Sequence, residues 1–465
     1  MYQWASKLLL WGALFFCLAA GAAAPGPALA QGAPEVQAPR FLIETITVEG
    51  TRREASRGIL LEESLLEPGQ AYSERELREA IYRVRRLPFV FSADFSLRKG
   101  SARGTYELLV TVQETTRFFF GREETYLAID DDSASYALGY TPEQTFKPER
   151  KALAGLRLFV GARGVVFGTV GESSGFQAGY TRYGLFGTRA VATVGASRSY
   201  CCPREVFPLG LDPDVTTMTT RESTRYTAAV AMPLAGNHSV RTRLAWSEGE
   251  PSARRSFLRD PGFDRHFGFD SNFSRLQLDL KWVYDNTDDP LFPSDGVTLS
   301  GGLELSDLEL TDQVLEHFGP PPPEGRPAGD LPDSDAHLLA LAVSGQKTWP
   351  LTPKQAASAS LRMAVGRSNL QEVLIGDERV DEDVTALEVT AGLRHSLSLW
   401  GFERARRFGE LRLETTANYG YEALSPRIGA GSVGRFQLGT SLAFRNRWGL
   451  FRLGLSYLDF IGDWR

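Results

Sequence analysis

From residue 240 onward the chain alternates, again and again, between an apolar and a water-loving residue. Val240, Thr242, Leu244 and Trp246 interleave with Arg241, Arg243, Ala245 and Ser247. Leu276, Leu278, Leu280, Trp282 and Tyr284 interleave with Gln277, Asp279, Lys281 and Val283, and Phe436, Leu438, Thr440, Leu442 and Phe444 with Gln437, Gly439, Ser441, Ala443 and Arg445. A period of two places successive side chains on opposite faces of a strand. Few of these segments are apolar on both faces, as a buried sheet would be. Many two-faced strands in one chain describe a membrane barrel, with lipid outside and water within.

Energetics decides which face points where. An Arg or Lys in mid-bilayer costs a barrel about 2–4 kcal/mol. Were Arg241, Arg243, Asp279, Lys281, Glu304, Arg412, Glu414 and Arg445 all turned to lipid, the cost would exceed a net stability of about 5–15 kcal/mol. Most of these residues therefore face the lumen, and the apolar set faces out. The 51 basic and 57 acidic residues give a net charge of −6, with no basic excess for nucleic acid.

Lys7, the apolar stretch Leu8 to Ala20 and Ala28-Leu29-Ala30 form an n-region, an h-region and an A-x-A site. Residues 1–30 are thus expected to be a signal peptide cleaved before Gln31, with an uncleaved anchor as the competing reading. After it no apolar run reaches the ~18 residues of a spanning helix. Of the three cysteines Cys17 lies in the h-region, and Cys201 and Cys202 are adjacent in an expected loop. A vicinal disulfide or metal capture is weighed there against a loop pair with no special role, and no His completes a metal set.

Residues 31–40 read as a linker, and 41–115 as a small α+β domain. Leu42, Glu44, Ile46 and Val48 lead a strand ending at Gly50, a helix covers Glu54 to Leu66, and Pro68-Gly69 stops it. Ser73 with Glu76 is a capping box for a second helix. Leu77, Ala80, Ile81, Val84 and Leu87 form its apolar face, while Arg75, Arg78, Arg83, Arg85 and Arg86 are expected in water. Two strands follow, around Phe91–Leu97 and Tyr106–Val112. This order, with Ile46-Thr47-Val48-Glu49-Gly50, the Leu87–Asp94 turn and Val110-Thr111-Val112-Gln113-Glu114, resembles a POTRA domain. The resemblance implies a periplasmic module that receives client chains by strand addition.

Residues 116–465 make the barrel, expected to be antiparallel with 16 strands, 12 to 14 being the alternative count. Polar stretches at 201–222, 248–272, 311–335 and 370–384 are expected as long outward loops, and Leu234-Ala235-Gly236-Asn237 as a short periplasmic turn. The segment Tyr284-Asp285-Asn286-Thr287-Asp288-Asp289-Pro290-Leu291-Phe292-Pro293-Ser294-Asp295-Gly296 is a polar turn between two strands. Its spacing of Tyr284, Asp285, Asn286, Asp289, Pro290, Phe292, Pro293 and Gly296 is similar to a signature of the BamA/TamA-like outer-membrane assembly and secretion barrels. Tyr183-Gly184-Leu185-Phe186-Gly187-Thr188 and the closing hairpin Gly434 to Tyr457 add to the likeness. The chain departs from that family in lacking a Val-Arg-Gly-Phe/Tyr segment on a lumen loop. Arg379 and Arg394 are the nearest stand-ins, Arg394 sharing lumen parity with Glu388 and Thr390.

Gly171-Glu172-Ser173-Ser174-Gly175 matches G-x-S-x-G, but its strand-like flanks suggest a hairpin turn, where a nucleophile elbow needs a strand before and a helix after. His238, His266, His317, His337 and His395 are scattered without metal spacing. The expectation is therefore no catalytic residue, no metal and no cofactor. The resemblance implies protein insertion into, or translocation across, the outer membrane. Its partners would be the lipid bilayer, unfolded clients and periplasmic or lipoprotein factors. A passive pore or small-molecule or lipid transporter is the alternative; a lipase and a surface adhesin are further rivals.

Overall fold

The computed structural model describes residues 39–51, 54–87, 89–114, 118–129, 134–140, 142–146, 152–165, 170–185, 188–201, 216–234, 236–257, 266–318, 329–331, 333–375, 378–400, 409–425, 431–446 and 449–461. The expected signal peptide and most of the linker lie outside these residues, as does Cys202.

An α+β unit comes first: β1 (Arg40–Glu49), α1 (Glu54–Ser64), β2 (Ala71–Ser73), α2 (Glu74–Arg85), β3 (Val90–Lys99) and β4 (Thr105–Glu114). The sheet order is β2-β1-β4-β3, with β1 parallel to β4 and the other pairs antiparallel. The three-residue β2 was not foreseen, because a short run after Pro68-Gly69 carries no period of its own. The Ser73 hydroxyl accepts from Glu76 N, and the Glu76 carboxylate accepts from Ser73 N at 2.6 Å, so the capping box forms as read. Leu77, Ala80, Ile81 and Val84 of α2 then pack with Ile43, Leu60, Phe89, Leu108 and Val110 in one dry core. Each buried Val, Leu, Ile or Phe side chain among them contributes about 1.5–3 kcal/mol.

The barrel wall consists of β5 (Phe118–Ile129), β6 (Ala134–Tyr140), β7 (Pro142–Phe146), β8 (Ala152–Val165), β9 (Val170–Tyr183), β10 (Val191–Cys201), β11 (Thr216–Pro233), β12 (His238–Phe257), β13 (His266–Asp285), β14 (Gly296–Phe318), β15 (Gly329–Leu331), β16 (Ser334–Thr352), β17 (Gln355–Ile375), β18 (Glu378–Trp400), β19 (Glu410–Ser425), β20 (Gly431–Asn446) and β21 (Gly449–Ile461). The seventeen segments close into a barrel. The pair β6 and β7 share the place between β5 and β8, and β15 and β16 both lie along β14. Counting each broken strand once or twice gives fifteen to seventeen strands, around the expected sixteen.

One pair corrects the antiparallel expectation. β21 and β5 close the wall in parallel, from Gly449 opposite Phe120 to Tyr457 opposite Ile129. Both strands start from the rim beside the α+β unit, here the proximal rim, so they run the same way.

Two-faced strands sort as the energetics requires. Leu244, Trp246, Leu276, Leu278, Leu280, Leu339, Leu341, Leu438 and Leu442 are exposed on the outer wall. Inside, Arg243 pairs with Asp279 at 2.5 Å and Arg275 with Glu304 at 2.9 Å. His238 stacks against Trp282 and lies 4.8 Å from Tyr284, giving an aromatic edge to the apolar band near the proximal rim.

The described parts of the expected long loops are largely strand. β14 and β18 each run 23 residues, far beyond the roughly 10 that cross a bilayer. Beyond the apolar band both faces of a hairpin meet water, so polar sequence no longer forbids pairing. The same reason places Cys201 at the end of β10, opposite Arg221, where a loop was expected. It also places residues 171–175 inside β9, paired with β8 throughout and with β10 at Ser174 and Gly175, where a hairpin turn was expected.

Candidate functional site at the proximal mouth

The Tyr284–Gly296 segment folds into a compact turn whose polar side chains hold its own backbone. Asp285 accepts from Thr287 N at 2.9 Å and from Thr287 Oγ1 at 2.7 Å. The Asn286 amide oxygen accepts from Val297 N at 2.6 Å, and its Nδ2 donates to the Tyr284 hydroxyl at 3.0 Å. Asp288 takes the Ser294 and Asp295 N–H groups at 2.8 and 3.1 Å, as well as the Ser294 hydroxyl. Asp289 takes Leu291 N and Phe292 N at 2.9 and 2.8 Å. Pro290 and Pro293 bracket Leu291-Phe292 and fix φ on either side of the tip. Each of the eight residues named from the spacing thus lies in one turn.

That turn reaches across the mouth. Arg445 of β20 donates through Nη1 to both Asp289 oxygens at 2.7 and 2.8 Å and through Nη2 to Glu410 of β19 at 3.3 Å. Phe292, 1 % exposed, lies with Ala443 and Leu450, with Leu291 packed against the group. The guanidiniums of Arg412 and Arg445 lie 4.9 and 5.0 Å from the Phe292 ring centre, within cation–π range. β13 and β14 are separated from β20 in the wall by β16, β17, β18 and β19. The contact is therefore made over the opening and not along the wall. Burial alone would raise the Asp289 carboxyl; Arg445 and the Phe292 and Leu291 N–H groups outweigh it and hold the carboxyl below the ordinary range.

The α+β unit holds the base of the same turn. Arg86 pairs with Asp285 at 3.4 Å and donates to Thr287 O at 3.4 Å, and Arg85 donates to Asp288 O at 3.2 Å. Arg83 donates to Ser64 O at 2.7 Å and reaches Asn237 in the 234–237 turn at 3.4 Å. Asp285 N in turn donates to Asn237 O at 3.1 Å. Tyr183, at the end of β9, packs into the core of the unit, and the Phe91 ring lies 5.8 Å from the Arg445 guanidinium. Arg83, Arg85 and Arg86, expected in water, are the docking residues; burial pushes Arg83 and Arg86 below their usual values. The available signal was complementarity between this basic end of α2 and a turn with four aspartates.

The two arginines expected as lumen-loop stand-ins lie in the wall. Arg379 stands in β18 opposite Leu374, beside the hairpin end of β17 and β18. Arg394 is an inward residue of β18, bonded to Glu414, which also accepts from Arg452 at 3.1 Å. It lines a small polar recess with Gln346, Ser358, Thr416 and Asn418. Neither is on a loop folded into the lumen, because both segments pair as strand.

Residues 159–377, which take in β9 to β17 and the turn, match a known family model. The model is that of an Omp85 superfamily domain. The matched family is the one expected from the turn's spacing. BamA from Haemophilus ducreyi lacking POTRA domains 1–3 is similar at 11% identity and TM-score 0.39, over 90% of this chain and 84% of that one. CdiB from Acinetobacter baumannii is similar at 11% and 0.37, over 90% and 74%. No curated protein matches the sequence.

Proposed function

We propose that this Omp85 protein inserts client proteins into the bacterial outer membrane or passes them across it, without a covalent step. Residues 1–30 direct export, and the α+β unit at 41–115 is a single POTRA domain in the periplasm. Its proximal rim is then the periplasmic one. The observation that carries this reading is the edge strand β3. Among the described residues it pairs only with β4, and the Phe91 side chain near its start touches the barrel mouth. An extended client adding along β3 would gain main-chain hydrogen bonds directly beside the opening.

A photo-crosslinking residue at Ser96, with the full-length protein in membranes and an unfolded outer-membrane barrel as client, tests this. Crosslinks that vanish when the client is prefolded are expected. No crosslink, combined with steady client-independent current in planar bilayers, would instead favour the passive pore.

A further inference from the structure

The Asp289–Phe292 tip does more than end a hairpin. It leaves its own strands, spans the opening and enters a prepared seat on β19, β20 and β21. The seat is basic: Arg412, Arg445 and Arg452 face Glu410 and Glu414 there, and Asp289 brings a further carboxylate. Its floor is apolar, formed by Ala443 and Leu450 at 0% and 3% exposure. A turn that only joined β13 to β14 would need neither the Arg445 Nη1 contact to both Asp289 oxygens nor a buried phenylalanine on the far wall.

We propose that residues 286–295 are a latch that constricts the proximal mouth, and that the α+β unit controls it. The tip is held by one ion pair and one aromatic ring, both releasable without breaking the turn's internal bonds. The base is held by Arg85, the last residue of α2, and Arg86, which caps it and is separated from β3 by three residues. Movement of β3, as when an extended chain adds to its edge, pulls on Asp285, Thr287 and Asp288 through those two arginines. The latch rests on the proposed function only for what moves β3; the constriction itself is independent of any client.

The test is single-channel recording of the full-length protein in planar bilayers, with folding checked by heat-modifiable migration in gels. Asp289→Ala and Phe292→Ala are expected to raise mean conductance severalfold, and Arg85→Ala with Arg86→Ala to raise the frequency of opening. In a Cys201→Ser, Cys202→Ser background, Phe292→Cys with Ala443→Cys should conduct strongly when reduced and return to the parent level when oxidised. Should an alanine variant not reach the folded form, Phe292→Leu gives the same comparison with a smaller rise. Folded variants that conduct like the parent in both redox states would overturn the latch. Unchanged opening in the Arg85/Arg86 variant would overturn its control by the α+β unit. No client is present in these recordings, so loss of crosslinking at Ser96 and loss of the latch are separate failures.

Discussion

Gly296 stands at φ +122°, where a Cβ would fall 2.6 Å from Thr287 Cα and 2.9 Å from Asn286 O. Both obstacles are backbone, so neither can swing away. Gly296→Ala is expected to cost about 1–3 kcal/mol from backbone strain alone, read as a lower urea midpoint in micelles with an unchanged m-value. Asp289 gives a pH signature. Its folded pKa lies below the unfolded one, so its contribution is present above the ordinary aspartate range and is lost as pH falls through the folded value. Asp289→Asn should therefore be less stable than the parent by about 1–3 kcal/mol at neutral pH. The gap should persist at pH 5 and close only below about 3.9. Unfolding midpoints across pH 2–8 check this (~6 units bracket every carboxylate). A gap that widened in acid would contradict the assignment.

At the scale of elements, α2 was the most legible part of the chain. Ser73, Glu76 and the Leu77–Val84 periodicity marked its start and its core face. Ser73→Ala should cost about 1 kcal/mol, which hydrogen exchange would read as roughly fivefold faster exchange at the Glu76 amide. What the periodicity missed was the other side of the same helix. Arg83, Arg85 and Arg86 read as solvent residues because a helix pattern reports polarity, and polarity does not say whether the neighbour is water or another turn. The long hairpins failed similarly: alternation marks where strands cross lipid and falls silent where both faces are wet, although β14 and β18 keep pairing there.

For the whole molecule, the outward row Leu276, Leu278 and Leu280 defines the lipid contact. Leu278→Arg is expected to cost about 2–4 kcal/mol in a bilayer, seen as a loss of the heat-modifiable form after refolding into vesicles. Leu278→Ala should refold nearly as the parent does, since that side chain packs on lipid and leaves no cavity. Equal behaviour of the two variants would place this row away from the bilayer.

Sequence alone determined the α+β unit ahead of the barrel, the inward and outward faces and the resemblance carried by the turn, because each rests on short-range information: a capping box, a period of two, a thirteen-residue spacing. Tertiary structure alone decided that the turn reaches Arg445, 156 residues away, that Arg85 and Arg86 dock beneath it, and that the wall closes in parallel. Those outcomes depend on which strands the closed barrel brings opposite one another. No local pattern encodes that geometry, and only ring closure sets it.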